Sequence, residues 1–326
     1  MKRAFITGIT GQDGAYLSRH LLERGYEVIG MVRQTGDAEI ATARLAWLGV
    51  KDDVRLVQGD VTDLAALLRL LGHHQPDEVY NLAAQSVIRT SWEQPVLTAA
   101  VTGQGALNLL EAVRIALPTA RFYQASSSEM FGLAQGPLQT EETAFHPRSP
   151  YAVAKAFAHW STVNHRESFG LHASCGILFN HDSPLRQKEF VTRKVTDAVA
   201  RIKLGRLREL RLGNVEVRRD WGHARDYVAA MHLMLRQDSP GDYVIATGRA
   251  TSVMELCRMA FNHVGLTAED HVIIDSALFR PAEVQSLAGD SGKARRLLGW
   301  QPSTTLEALV AEMVEADLAR VGAERT

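Results

Sequence analysis

The sequence predicts a doubly wound α/β fold: a parallel sheet covered by helices on both faces, joined to a smaller, mostly C-terminal lobe. Three observations carry that prediction. Apolar runs of strand length alternate with amphipathic stretches of helical length up to about Phe179, a glycine-rich turn follows the first such run directly, and beyond Phe179 the rhythm loosens. Repeated strand–helix–strand units imply parallel pairing, because a parallel connection has to cross the sheet and does so most readily as a helix.

The elements follow in order. RAFIT (3–7) is the first strand, Asp13 to Gly25 the first helix and YEVIGMV (26–32) the second strand. VRLVQGD (54–60) is a third strand, LAALLRLL (64–71) lies in a helix, and EVYNLAA (78–84) is a fourth strand. A helix from about Thr102 to Ala116 leads into RFYQASSS (121–128), and another from Tyr151 to Phe169 leads into HASCGILF (172–179). The chain then turns polar, Arg-rich and Pro-containing; DYVIATG (242–248) is one further strand before a C-terminal helical portion. No internal repeat or low-complexity linker interrupts it. The expected division is a dinucleotide-binding domain over 1–178, with 221–249 returning to it, and a substrate-binding lobe from 179–220 and 250–326.

Composition narrows the partners. Of 326 residues 46% are apolar, ample for a large core, and 36 Lys and Arg stand against 37 Asp and Glu. No global field therefore draws the protein to nucleic acid or to an anionic membrane, and an anionic ligand has to be met by local arginines. The opening MKRAFITGITG is too briefly apolar for a signal peptide or a span. Cys175 and Cys257 have apolar neighbours and no metal-ligand spacing, which predicts buried free thiols, no metal and a cytoplasmic protein.

Gly8, Gly11 and Gly14 form a GxxGxxG turn between the first strand and the first helix, with Gln12 and Asp13 inside it. Glycines let the backbone approach a pyrophosphate closely, while the helix that follows offers free N–H groups and its positive end. The fold predicted is accordingly Rossmann-like. The second strand ends in GMVRQTG, with Arg33 where NAD-selecting proteins usually offer a carboxylate. A cation suits a 2′-phosphate, so NADP is the expected cofactor; the alternative is a solvated surface arginine. Asp60 either accepts from the adenine amino group or is a plain turn aspartate, and NLAA (81–84) would pass along the cofactor ribose.

The chemistry-bearing residues come next. YAVAK sets Tyr151 and Lys155 on one helical face. A phenol titrates near about 10 in peptides, and a neighbouring ammonium favours its ionised form, so Tyr151 can take a proton from an alcohol. Ser127 or Ser128 can polarise the same oxygen. Glu129 needs a separate reason. Oxidising a hexose at C4 acidifies the C5 proton, and a carboxylate beside the ring can remove that proton and pass it to the departing C6 hydroxyl. The alternative is that Glu129 caps its loop or pairs with an arginine.

The glycine-rich turn, the Ser-bearing loop after RFYQA and YAVAK, in this order, resemble an extended short-chain dehydrogenase/reductase. TGITGQDGAYL, YNLAAQS, FYQASSSEMFG, PRSPYAVAK, GILFNHDSP, FVTRKV, RRDWGHARDYV, DYVIATG and FRPAEV, from residue 7 to about 284, resemble the GDP-mannose 4,6-dehydratase family in particular. The resemblance implies that Ser127 polarises the C4 oxygen, Tyr151 is the C4 base, Lys155 tunes it, and Glu129 is the C5 base and C6 acid. It implies a GDP-sugar substrate met by Asn180, Lys194, Arg219, Arg280 and Glu283, the arginines suiting a diphosphate and Glu283 the ribose. It also implies a homodimer or homotetramer, the dimer joined through two helices per subunit.

Three departures stand out. Ser127 replaces the family's usual threonine and keeps the hydroxyl. YNLAAQSV replaces the commoner YNLGAQSH, so Ala83 and Val87 alter packing near the cofactor. QTGDAEIATARL (34–45) lacks the second arginine and Ser-rich run of a loop that helps bind NADP and join subunits. Competing readings are a GDP-4-keto-sugar reductase, against which Glu129 argues, a 4,6-dehydratase for another sugar, and a non-catalytic cofactor sensor, which would not need an intact YAVAK.

Overall fold

The computed structural model describes residues 1–33, 38–133, 136–279 and 282–324. The strands are β1 (Arg3–Thr7), β2 (Glu27–Val32), β3 (Val54–Gln58), β4 (Glu78–Asn81), β5 (Arg121–Ser127), β6 (Ala173–Leu178), β7 (Asn180–Asp182), β8 (Leu210–Leu212), β9 (Arg218–His223), β10 (Asp242–Ile245), β11 (Ala250–Ser252), β12 (Val272–Ile274) and β13 (Ser286–Leu287). The helices are α1 (Gln12–Leu22), α2 (Ala38–Trp47), α3 (Leu64–His74), α4 (Ile88–Glu93), α5 (Pro95–Thr98), α6 (Gly105–Ala116), α7 (Pro150–Phe169), α8 (Val191–Lys203), α9 (Ala224–Arg236), α10 (Val253–His263), α11 (Gly292–Leu298) and α12 (Leu306–Ala323).

Among the described residues seven strands form one sheet in the order β3-β2-β1-β4-β5-β6-β10. Every neighbouring pair is parallel. The central strands are covered on both faces: β6 is buried throughout and β5 is buried after its first residue. One face packs against α1 and α9 through Leu17, Tyr123 and Met231, the other against α3 and α6 through Phe5, Phe122 and Leu109. The strand order reverses between β1 and β4, which opens a crevice at their carboxyl ends.

A buried polar ladder fixes that rim. Thr7 Oγ1 donates to Asn81 Oδ1 at 2.7 Å, and Asn81 Nδ2 donates to Gln124 Oε1 at 2.9 Å. Gln124 Nε2 donates in turn to the Ala125 carbonyl at 3.1 Å. The three side chains are register partners across β1, β4 and β5.

The helix expected from Thr102 starts earlier. Pro95 opens α5, and a wider π turn (Ala99–Gln104) joins it to α6. The stretch Pro95–Ala116 is long and apolar enough to cross a membrane by length and composition, and half of it is buried inside the fold. Its Leu109, Leu110 and Val113 sit in the core beside Phe5 and Phe122, the placement of a core helix.

A second, smaller assembly holds β9 at its centre, paired with β7, β11 and β13. Around Trp221 pack Val195 and Val199 of α8, Leu256 and Phe261 of α10, and Val310 and Met313 of α12. Arg193 on α8 donates from Nε to both oxygens of Asp317 on α12 at 2.8 Å, and Thr196 Oγ1 adds a third bond at 2.7 Å. Asp317 is fully buried. DYVIATG enters the seven-stranded sheet as β10, whereas the segment just before α9 is β9 of the smaller assembly.

Candidate active site

The crevice at the carboxyl ends of β1, β4 and β5 holds a cavity of about 940 Å³ that runs from the glycine-rich turn to the smaller assembly. Its size is at the upper end of what ligand and cofactor sites usually have.

At one end lies the glycine turn. Gly8 has φ +70°, and a Cβ there would meet the Leu82 carbonyl carbon at 2.7 Å. A Cβ on Gly14 would lie 2.4 Å from Ile9 Cα, so only glycine lets α1 start this close to β1. Gly11 is the N-cap of α1 and supplies no side-chain acceptor, which leaves first-turn N–H groups to face the cavity. These features fit a dinucleotide diphosphate. The side chains of Gln12 and Asp13 are engaged within the protein: Gln12 Nε2 donates to the His181 carbonyl at 3.1 Å, and Asp13 Oδ2 is 2.8 Å from His181 Nε2. Burial works to raise the Asp13 carboxyl, but His181 outweighs it and holds the group at about 2. Arg33 is exposed on the cavity rim. Asp60 Oδ1 accepts from the Thr62 N–H at 2.9 Å and from its hydroxyl at 2.8 Å, the geometry of a turn aspartate, while Gly59 and Val61 beside it line the cavity.

At the centre, Ser127, Glu129, Tyr151 and Lys155 all face the cavity. The first two stand where β5 ends, and Ser127 caps the short 3-10 turn that carries Glu129, its Oγ accepting the Glu129 N–H at 3.2 Å. The other two stand in the first turns of α7, capped by Ser149 with Pro150 at the first helical position. Glu129 is not locked away. Its nearest ion-pair partner is Arg219 Nε at 3.9 Å, longer than a hydrogen bond. The Tyr151 phenol is buried. Burial pushes it up to about 12, the Ser127 hydroxyl pulling the other way. Lys155 Nζ donates to the Ala125 carbonyl at 2.7 Å and lies 5.9 Å from the Tyr151 ring centroid, so in this arrangement the ammonium orders the end of β5. Burial lowers Lys155 itself to about 8.

Toward the smaller assembly, Asn180 of β7, Lys194 of α8, Arg219 of β9 and Glu283 line the same cavity. Lys194 Nζ donates to the Arg211 carbonyl at 2.7 Å, and Arg219 Nη1 donates to the Val284 carbonyl at 2.8 Å. Arg280 lies outside the described residues.

Three cavity-lining arginines, Arg44, Arg89 and Arg186, escaped the sequence reading. Arg44 of α2 reaches back to donate to the Leu185 carbonyl at 2.8 Å and the Thr10 carbonyl at 3.1 Å, in the very segment that lacks the expected second arginine. Arg186 pairs with Asp182 at 2.8 Å and stacks over Phe190 at 3.6 Å. Arg44 reaches partners 141 and 34 residues away, whereas Arg186 meets Asp182 and Phe190 four residues to either side. His159, Cys175 and Asp242 come within 4.8 Å of one another, a spacing open to a metal. Arg166 already holds both Asp242 oxygens, at 2.9 and 2.8 Å, which places a cation where the metal would have to bind.

Residues 5–313 match the family model described as GDP-mannose 4,6 dehydratase. Among named relatives, GDP-mannose 4,6 dehydratase 1 of Arabidopsis thaliana is 51% identical over 97% of this chain and 90% of its own length. The human GDP-mannose 4,6 dehydratase is 45% identical over 97% of this chain and 91% of its own length. Among solved structures, the dTDP-glucose 4,6-dehydratase DesIV of Streptomyces venezuelae, with NAD and TYD bound, superposes with a TM-score of 0.86 at 25% identity, covering 98% of each chain. RMD of Pseudomonas aeruginosa, complexed with NADPH, gives a TM-score of 0.80 at 22% identity over 98% of this chain and all of its own.

Proposed function

The chain belongs to the GDP-mannose 4,6-dehydratase family, nucleotide-sugar lyases on the short-chain dehydrogenase/reductase fold, and on that premise we propose that it converts GDP-mannose to GDP-4-keto-6-deoxymannose. The observation that carries this reading is the Glu129 carboxyl facing the same cavity as Tyr151 and Ser127. An alcohol–ketone conversion needs only the hydroxyls. A carboxylate beside them suits the loss of water.

A nicotinamide dinucleotide, held by the Gly8–Gly14 turn with Tyr151 and Lys155 beside it, would supply a hydride acceptor for C4 and a hydride donor for C6. Tyr151 takes the C4 hydroxyl proton, with Ser127 bonded to the same oxygen. The ketone acidifies C5, Glu129 removes that proton, and the proton leaves with the C6 hydroxyl as water. With C6 reduced, C5 takes a proton from solvent by way of Glu129, and Tyr151 returns the C4 hydroxyl proton to solvent, so atoms and charge balance. Lys155, on the Ala125 carbonyl, keeps β5 in place beneath Ser127. Arg219 and Arg280 meet the GDP diphosphate, Lys194 and Asn180 flank it, and Glu283 takes the ribose hydroxyls.

The cofactor is a nicotinamide dinucleotide, and we assign it as NADP on Arg33 at the cavity rim, with Arg44 nearby as a second guanidinium. Residues 1–178 with α9 and β10 hold it; the remaining segments hold the sugar nucleotide. The buried thiols Cys175 and Cys257 suit a reducing, cytoplasmic setting. Purified protein incubated with GDP-mannose and catalytic NADP in deuterated water should yield a product lighter by one water, carrying deuterium at C5 and consuming no net cofactor. A product that keeps all its oxygen would return the protein to the reductases.

The assembly we propose is a homodimer through α7 and the α5–α6 run. Val153, Phe157 and Trp160 are 56%, 46% and 58% exposed along one side of α7, and Val96 and Leu97 are 82% and 47% exposed next to it. Such a stripe is what subunit pairing buries. Trp160→Glu should shift the protein to a monomer in light scattering after size-exclusion chromatography; an unchanged mass would place the interface elsewhere.

A further inference from the structure

We propose that His181 is held as an imidazolium that cancels the charge of Asp13 at the diphosphate end of the cleft, making it a positioning residue for the dinucleotide. The argument rests on the reading above that this cleft binds a nicotinamide dinucleotide. His181 sits in β7, buried between α1 and α9. Its Nδ1 is 2.7 Å from the Phe179 carbonyl oxygen and its Nε2 is 2.8 Å from Asp13 Oδ2. Neither partner can donate, since a carbonyl carries no proton and the Asp13 carboxyl is ionised at neutral pH. A neutral imidazole has a single N–H and would leave one of these buried contacts as two facing lone pairs. The doubly protonated ring satisfies both. Burial pushes the ring's pKa down, while Asp13 and the Phe179 carbonyl push it up, and the net direction is upward.

Asp13 is what makes this matter for the cofactor. It stands in the first turn of α1, whose free N–H groups and positive end would meet the diphosphate. An uncancelled carboxylate in that turn opposes a second anion. The other groups facing the ring do not replace the imidazolium. Gln12 Nε2 donates to Asp13 Oδ1 at 3.0 Å but carries no charge. Tyr227 of α9 stacks on the ring with centroids 4.5 Å apart. Arg186 repels the ring's charge, yet it is paired with Asp182 at 2.8 Å.

The sign follows from the raised pKa. The imidazolium is fully present at and below the ordinary histidine range, and its proton is lost only as pH rises through the raised value. Dinucleotide affinity should therefore fall on the alkaline side. Because binding favours the protonated ring, it should take up protons there. Lys155 also loses its charge at about 8, so the wild-type curve alone is ambiguous and variants are needed.

The test titrates the full-length protein with NADPH, by its fluorescence, from neutral to alkaline pH. His181→Gln should bind NADPH about tenfold more weakly at neutral pH and show a shallower alkaline fall. Asp13→Asn combined with His181→Gln should regain most of the affinity, because both charges are then gone. Calorimetry in two buffers of different ionisation heat should find proton uptake in the wild type that is smaller in His181→Gln, the difference separating the ring from Lys155. Identical affinity and pH curves for wild type and His181→Gln, a double variant as weak as the single one, or no proton uptake would overturn the proposal. A wild type that binds neither NADPH nor NADH would overturn the dinucleotide reading beneath it, a result distinct from pH-independent binding.

Discussion

Glu129→Gln should bind NADPH and GDP-mannose as the wild type does and lose turnover by about a hundred- to ten-thousand-fold, the range that a positioned acid–base group supplies. The amide keeps the shape and can still face Arg219, but it cannot take a proton from C5. The cost should therefore fall on kcat and not on binding. Two measurements separate this from a structural role. Deuterium incorporation at C5 should cease with turnover, and reduction of NADP on mixing with GDP-mannose should still be detectable, because C4 oxidation needs only Tyr151 and Ser127. Wild-type turnover in Glu129→Gln would make the carboxylate a bystander and leave an ordinary oxidoreductase site.

Asp317→Ala should destabilise the protein by about 3–5 kcal/mol in chemical denaturation, the cost of stranding a buried charge by removing its partner. Asp317 is fully buried and accepts from Arg193 and from the Thr196 hydroxyl, with Arg320 adding a contact at 2.7 Å. Arg193 would remain buried against the carbonyls of Pro184 and Arg186 with its charge uncompensated. Replacing the pair together, Arg193→Met with Asp317→Leu, should recover much of the loss, since a well-packed apolar pair avoids desolvation altogether. If Asp317→Ala unfolds at the wild-type denaturant concentration, the α8–α12 clamp contributes nothing. Because Lys194 follows Arg193 on α8, loosening this clamp should also weaken GDP-mannose binding.

Local patterns made the main sheet and the residues that meet at the centre of the cavity legible in the sequence. The GxxGxxG turn, SSSE at the end of β5 and YAVAK at the start of α7 are short segments whose positions follow from strand and helix periodicity. The parallel pairing follows from the alternation itself. The small strands β7, β8, β11, β12 and β13 did not show, because two or three residues carry no periodicity. Nor did the contacts that span the chain: Arg44 reaching Leu185, and His181 reaching Asp13, depend on which loops the fold brings together. The Tyr151–Lys155 spacing sets both residues on one cavity but leaves their surroundings open. Four residues along a helix say nothing of a carbonyl within reach of the ammonium, or of the desolvation that raises the phenol.

The polar ladder beneath the site has a direction. Starting from the N–H groups of Leu82 and Ala83, which both donate to Thr7 Oγ1 at 3.2 Å, each member gives a proton to the next until the Ala125 carbonyl, which Lys155 meets from the other side. Backbone groups that can only give at one end, or only receive at the other, leave no amide free to turn over. Thr7, Asn81 and Gln124 thus behave as one mutational unit, in which exchanging a single member reverses a polarity that its neighbours cannot follow.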